Sequence, residues 1–307
     1  MIARLLRPLA PAKGWQPWGA LVPVLGISFV ASTVISLTAV LQCEGLVDAE
    51  ENPIGLQGFI AFLLLPFSAL AIVVLAWVRL VERRSLAAIG LGGVHRARTF
   101  LGGLLLGMAM VAAIVAGIWI GGGLRIVASG RPSHSLMSLG SIAVLLICFA
   151  LQSGVEELFF RGWMLSAIAA KFRIVWAVLL SSLMFNVLHF DPRANWIFVL
   201  NVFLFAVFAS CWVIRTGNVW GVMGFHGGWN WLLAVGFELR VTALDAHLPA
   251  LLLRLTPVGS DYMTGGIEGP EGSILCTMVL TCGTTYQLMR ARRCAPPLGS
   301  VRATDHI

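Results

Sequence analysis

The stretch SIAVLLICFALQSGVEELFFRGWMLSAIAA, residues 141–170, is long and apolar enough to cross a bilayer, yet its centre holds Glu156, Glu157 and Arg161. A hydrocarbon core about 30 Å thick takes roughly 20 apolar residues in helical form, so the length argues for a membrane span. The charges argue against an idle one, because each ionised group near the bilayer centre costs roughly 2.5–3.5 kcal/mol on insertion scales. Helix geometry separates the three. Glu157 and Arg161 are four residues apart and share a face, with the glutamate N-terminal, the better orientation for a pair. Glu156 is turned about 100° from Glu157 and cannot be fully satisfied by the same arginine. One carboxylate is expected to be held and the other to be available.

The rest of the chain fits a membrane setting. It has 307 residues, 58% hydrophobic and 11% charged, with a mean hydropathy of +0.89. A soluble domain carries about 25% charged residues. The expected fold class is all-α, a polytopic transmembrane helical bundle. Apolar windows at 18–42, 56–78, 100–121, 139–168, 174–190, 196–214, 219–237 and 273–290 predict about eight spans. They divide the chain into an N-terminal region of two spans (1–79), a core (80–237), and a loop, last span and tail (238–307). The net charge of +7 does not imply nucleic acid, because the basic residues are scattered singly between apolar runs. Most of Cys43, Cys148, Cys211, Cys276, Cys282 and Cys294 lie in apolar runs without a CxxC, and read as buried hydrophobes.

Alternating the spans gives an orientation. With the N-terminus inside, fifteen Lys and Arg residues fall on the cytoplasmic side: Arg4, Arg7, Lys13, Arg79, Arg83, Arg84, Arg96, Arg98, Lys171, Arg173, Arg215, Arg290, Arg292, Arg293 and Arg302. Five fall opposite: Arg125, Arg131, Arg193, Arg240 and Arg254. The bias places both termini in the cytoplasm, and the expected location is the bacterial cytoplasmic membrane. The first apolar window is longer than the 7–15 residues of a signal peptide core and lacks a clear cleavage site, so it reads as a retained helix. The longest connection, Glu238–Gly272, contains LPALLLRL, read as a segment on the membrane surface, then the Gly/Pro-rich TPVGSDYMTGGIEGPEG. Gly103 and Gly107 form a GxxxG that reads as a helix-packing face.

Few other strongly polar residues lie inside the spans. SSLMFNVLHF carries Asn186 and His189, and GVMGFHGGWNW carries His226 and Asn230, four apart on one face. His95, His134, His247 and His306 fall in loops or tails. Glu156 and His189 are 15 and 18 residues from the turn at Lys171, hence within one helical turn of each other in depth. His226 and Asn230 follow the turn at 215–218, which puts them in the cytoplasmic half to the middle. A single pair such as Glu157–Arg161, or a lone histidine, is often structural. A carboxylate, two imidazoles and an amide from three helices at one level point to chemistry.

EELFFR, FNVLH and HGGWN, in that order, match EExxxR, FxxxH and HxxxN. Together they resemble the CPBP family, the CAAX proteases and bacteriocin-processing enzymes of the Abi group. The upstream ERRSLAAIGL is similar to the segment that often precedes that family's core, and the resemblance covers about residues 80–237. It implies an eight-helix intramembrane peptidase acting on a membrane-associated or lipid-modified peptide or protein, with membrane lipid as its surroundings. By motif position Glu156 would be the general base and His189 its partner in activating water. His226 and Asn230 would stabilise the oxyanion, and Glu157 and Arg161 would hold the constellation. Amide hydrolysis does need a base for water and donors where negative charge develops.

The reading preferred from the residues is metal-free, because no HExxH is present and a carboxamide suits oxyanion donation better than zinc ligation. Two histidines and a glutamate remain a plausible zinc set, giving a metalloendopeptidase as an alternative. A second alternative is a proton-coupled transporter, or a bacteriocin immunity protein without peptidase activity, using the same groups. The lack of visible internal repeats speaks against transport.

Overall fold

The computed structural model describes residues 21–49, 52–129, 136–242 and 252–293, and these are mainly helical. In hydrocarbon, every backbone N–H and C=O must be satisfied within its own segment, so apolar windows become helices. In chain order these are α1 (Val22–Cys43), α2 (Gly55–Ala76), α3 (Arg96–Ile120), α4 (Leu136–Glu157), α5 (Leu165–Ala169), α6 (Ile174–Leu188), α7 (Trp196–Thr216), α8 (Trp220–Trp231), the short α9 (Asp261–Thr264) and α10 (Ile274–Arg293). Among the described residues three segments are π-helical: Trp77–Val81 continues α2, Leu158–Met164 joins α4 to α5, and Leu232–Gly236 extends α8. The molecule is an all-α helical bundle. The basic residues Arg4, Arg7, Lys13, Arg131 and Arg302 and the cysteine Cys294 lie outside the described residues. The other five cysteines are free.

Among the described residues, five segments are long and apolar enough to cross a membrane: Val24–Cys43, Gly55–Val81, Arg96–Ile120, Gly140–Ala169 and Trp196–Thr216. They turn residues such as Ile35, Ile72, Leu105 and Ile147 outward, as lipid-facing helices do. Every expected window forms a helix, but α6 is shorter, and α8 and α10 fall outside the spanning set. Glycines, His226 and Asn230 lower the hydropathy of α8. The helix tolerates them because Gly221–Trp231 are all buried inside the bundle.

Two small-residue faces hold α8 in place. A Cβ added at Gly103 would overlap the carbonyl of Gly221, and one at Gly107 the carbonyl of Phe225. On the facing helix, Gly224 and Gly228 pack against the carbonyls of Phe100 and Leu104 in the same way. The GxxxG of α3 is thus the packing face it resembles, and its partner is the helix that carries His226 and Asn230.

The segment ERRSLAAIGL ties the same end of α4–α5 to α2. Glu82 Oε1 accepts from the indoles of Trp77 (2.9 Å) and Trp163 (2.7 Å), and its Oε2 pairs with Arg84 Nη1 at 3.0 Å. Arg84 Nη2 donates to Ser166 Oγ at 2.7 Å. Arg84, counted from sequence as a topology signal, is therefore also a buried structural cation, 3% exposed.

At the opposite end, β1 (Leu124–Ser129) pairs antiparallel with β2 (Leu253–Pro257). Part of LPALLLRL, read from sequence only as a segment on the membrane surface, lies in this ribbon. Its last residues are strand, because the β-branched run of LRIVAS offers a pairing partner, while residues 243–251 lie outside the described set.

Candidate active site

Glu157 is the last residue of α4 before the chain widens into the π-helical Leu158–Met164, a turn type frequent at functional sites. The Glu157 carboxylate is fully enclosed, and its Oε1 accepts from Arg161 Nη1 at 3.0 Å and from His226 Nδ1 at 2.9 Å. Arg161 Cζ stands 4.2 Å from the Phe185 ring centroid. The same ring stacks on His189 at 4.2 Å, and Phe205 meets His226 edge-on at 4.8 Å. The phenylalanine of FNVLH is therefore the hinge between the guanidinium and the second imidazole.

Glu156 is placed differently. Its Oε2 lies 3.8 Å from His226 Nε2, too far for a hydrogen bond, and has no partner although it is buried. Asn230, one turn beyond His226, directs Nδ2 to Ser153 Oγ at 3.3 Å and Gln152 Oε1 at 3.5 Å. Both imidazoles have a fixed proton. Nδ1 of His226 faces the Glu157 carboxylate and Nδ1 of His189 faces the Phe185 carbonyl at 2.8 Å, oxygens with no proton to give. Each Nδ1 must donate, which leaves each Nε2 as the nitrogen free for chemistry.

A cavity of about 30 Å³ is lined by Phe185, His189, Asn201, His226, Thr242 and Glu271, among others. That space accommodates a water molecule with polar partners around it. Glu271, from the loop before α10, accepts from Trp229 Nε1 at 2.9 Å through Oε1 and from Thr242 N at 2.7 Å through Oε2. Burial raises the affinity of Glu271 for a proton, and the bonds from Thr242 and Trp229 oppose that rise.

Of the residues expected from sequence, Glu156, Glu157, Arg161 and His226 form one contact chain, Asn230 joins α8 to α4, and His189 shares the cavity with His226. Sequence reading missed Gln152 and Ser153, although polar residues one turn before a buried glutamate are a usable signal. It also missed Glu271, which no spacing marks. Among the described residues, no three His, Cys, Asp or Glu side chains come together in a group able to hold a metal ion.

Residues 138–232 match the family described as type II CAAX prenyl endopeptidase, Rce1-like. The match is narrower than the 80–237 window of the motif resemblance, and all six expected site residues lie inside it. No curated protein matches the chain.

Proposed function

We propose, from the Rce1-like CAAX prenyl endopeptidase domain formed by residues 138–232, that this integral membrane protein is an intramembrane endopeptidase in which Glu156 activates water. The observation that carries the division of labour is the contrast between the two glutamates. Each has one buried oxygen without a hydrogen-bond partner, but Glu157 is fixed through Oε1 by Arg161 and His226, whereas the unpartnered Oε2 of Glu156 stands beside His226 Nε2. The ionised Glu156 takes a proton from water as the water oxygen adds to the scissile carbonyl carbon and the C=O π pair moves to oxygen. His189 Nε2, with its lone pair free, accepts from and orients that water. The oxyanion is stabilised by Asn230 Nδ2 and, when its Nε2 carries a proton, by His226. As the tetrahedral intermediate collapses, the C–N bond breaks and the amine takes the proton held on Glu156.

The substrate is a membrane-associated or lipid-modified peptide or protein, which meets the site within or beside the bilayer. The metal-free mechanism is preferred because the sequence holds no HExxH and the carboxamide of Asn230 suits oxyanion donation better than metal ligation. The protein sits in a bacterial cytoplasmic membrane with both termini in the cytoplasm. The deciding experiment is comparative membrane and secretome proteomics of wild type against Glu156→Gln. A peptidase leaves an uncut precursor in the mutant. Unchanged peptides with an altered solute or proton flux would replace this reading by transport.

A further inference from the structure

The glycine-rich loop before α10 has no part in the family match, which ends at residue 232, yet it reaches the site. Its course is fixed by close backbone packing. Gly265 and Gly269 have φ of +90° and +74°, and a Cβ at either would overlap the carbonyl of Gly269 or of Arg240, respectively. Two asparagines of the α7 region fasten it from the other side. Asn195 Nδ2 donates to the Gly265 carbonyl at 3.1 Å, and Asn201 Nδ2 donates to the carbonyls of Glu271 (2.7 Å) and Ser273 (2.9 Å). The loop is therefore built to deliver one side chain, Glu271, to the cavity wall shared with His189 and His226.

We infer that Glu271 is a positioning residue of the peptidase site, acting through Trp229 on the face of α8 that carries His226 and Asn230. The indole it holds belongs to the residue three after His226 and one before Asn230, so fixing Trp229 fixes the rotation of that face. The second oxygen anchors Thr242, so one carboxylate joins α8 to the chain that follows its π-helical extension. Both oxygens face N–H donors. An amide at this position would set its own NH2 against one of them and lose that bond, although its size is unchanged. The site thus extends beyond the matched segment. Its helical part supplies the reacting groups, and the loop sets the alignment of two of them.

The test uses the full chain in detergent micelles as wild type, Glu271→Gln, Trp229→Phe and the double variant. The first readout does not depend on any substrate: the rate at which diethyl pyrocarbonate modifies His226 and His189, followed by peptide mass spectrometry. The second is turnover of an internally quenched, farnesylated CAAX-type peptide, since the catalytic part of the inference rests on the endopeptidase reading. Glu271→Gln is expected to raise histidine modification severalfold and to lower kcat by about tenfold with little change in KM, as expected for misaligned reacting groups. Trp229→Phe, which keeps the ring and removes only the N–H, is expected to change both in the same direction. The double variant is expected to be no worse than Glu271→Gln. If Glu271→Gln does not fold, Trp229→Phe decides alone through the same two readouts. Wild-type histidine reactivity and kcat in the single variants, or losses that multiply in the double variant, would overturn the inference. A wild-type protein that leaves the peptide intact counts against the substrate reading, and the histidine rates still decide the role of Glu271.

Discussion

One oxygen of Glu157 accepts from both Arg161 Nη1 (3.0 Å) and His226 Nδ1 (2.9 Å), so a single enclosed carboxylate joins the two helices of the site. Removing either charge leaves the other unpaired in a low-dielectric interior, where breaking a buried pair costs about 3–5 kcal/mol. We expect Glu157→Ala and Arg161→Ala to lower melting temperature and turnover together. The double change to neutral residues is expected to cost less than the sum of the singles. Glu156→Gln, which removes no hydrogen bond from Oε2, is expected to abolish cleavage with the melting temperature nearly unchanged. Thermal melts and turnover across this set check the assignment. Substantial turnover in Glu156→Gln, with complete loss in a well-folded Glu157→Gln, would exchange the two roles.

The α3–α8 contact makes a second expectation sharp. Gly107 touches the Phe225 carbonyl, one residue before His226, and no flexible side chain is available there to yield. Gly107→Ala must push α8 away from α3 and displace His226 and Asn230. Gly102→Ala, with open space around its Cβ, is the matched control. We expect Gly102→Ala to keep or slightly raise stability, since alanine favours helix by about 1 kcal/mol over glycine. Gly107→Ala is expected to lose activity and most of its folded yield. Equal behaviour of the two variants in expression and melting would show that the glycine face does not position the site.

Much of this was legible in the chain because cost in lipid makes polar residues conspicuous. Glu156, Glu157, Arg161, His189, His226 and Asn230 stood out against apolar spans, and the i, i+4 spacing alone separated Glu157 from Glu156. The pairing of His226 with Glu157 was not legible, since no periodicity says which imidazole faces which carboxylate across two helices. Glu271 was hidden for a different reason. In a loop rich in Gly and Pro a glutamate carries no burial signal, and only the folded path through Gly265, Gly269 and Asn201 turns it inward. The β1–β2 ribbon was missed because an apolar segment such as LPALLLRL has no period of its own to distinguish strand from a surface-lying helix.

Glu268 gives a pH-dependent expectation. Its carboxyl is fully enclosed with neither oxygen hydrogen-bonded, and burial, with Asp191 and Glu271 adding and Arg193 and Arg240 opposing, pushes its pKa up to about 7. The folded state therefore binds a proton that the unfolded state releases between its ordinary value of 4.5 and about 7. Stability contributed by this group is present in full below pH 4.5, falls as pH rises through that window, and is lost above it. The swing is at most roughly 3 kcal/mol. Glu268→Gln is expected to melt well above wild type at pH 8 and close to it at pH 5. An identical pH slope in the two proteins would remove Glu268 as the cause.

Zinc content addresses the mechanism directly. The metal-free assignment expects purified protein without stoichiometric zinc and full turnover after prolonged chelation. The free Nε2 atoms of His189 and His226 are the atoms a metal would take, so the same two residues provide the control. Near-equimolar zinc, lost together in His189→Ala and His226→Ala, would restore a metalloprotease with Glu156 as ligand or base.

The cavity wall and the charge bias together support a proposal for the side from which substrate arrives. Thr242 and Glu271 belong to the connection between α8 and α10, and His189 caps the end of α6 that leads into the 190–195 turn. Those connections share the basic-poor side with Arg125, Arg193, Arg240 and Arg254, whereas Arg79, Arg83, Arg84, Arg96, Arg98, Lys171, Arg173, Arg215 and Arg290 mark the other. On the proposal, from the Lys/Arg bias, that both termini are cytoplasmic, the cavity would face the non-cytoplasmic side, although sequence depth alone set His226 and Asn230 in the cytoplasmic half to the middle. A reporter fused after Arg293 is expected to read cytoplasm, and one fused near Asp261 the opposite side. The quenched peptide is expected to be cut when supplied outside right-side-out membrane vesicles and spared outside inverted ones. Reversed reporter signals with cleavage in inverted vesicles would turn the molecule over and make its substrates cytoplasmic. Expected reporter signals with cleavage only in inverted vesicles would keep the orientation and show that substrate reaches Glu156 from the basic end.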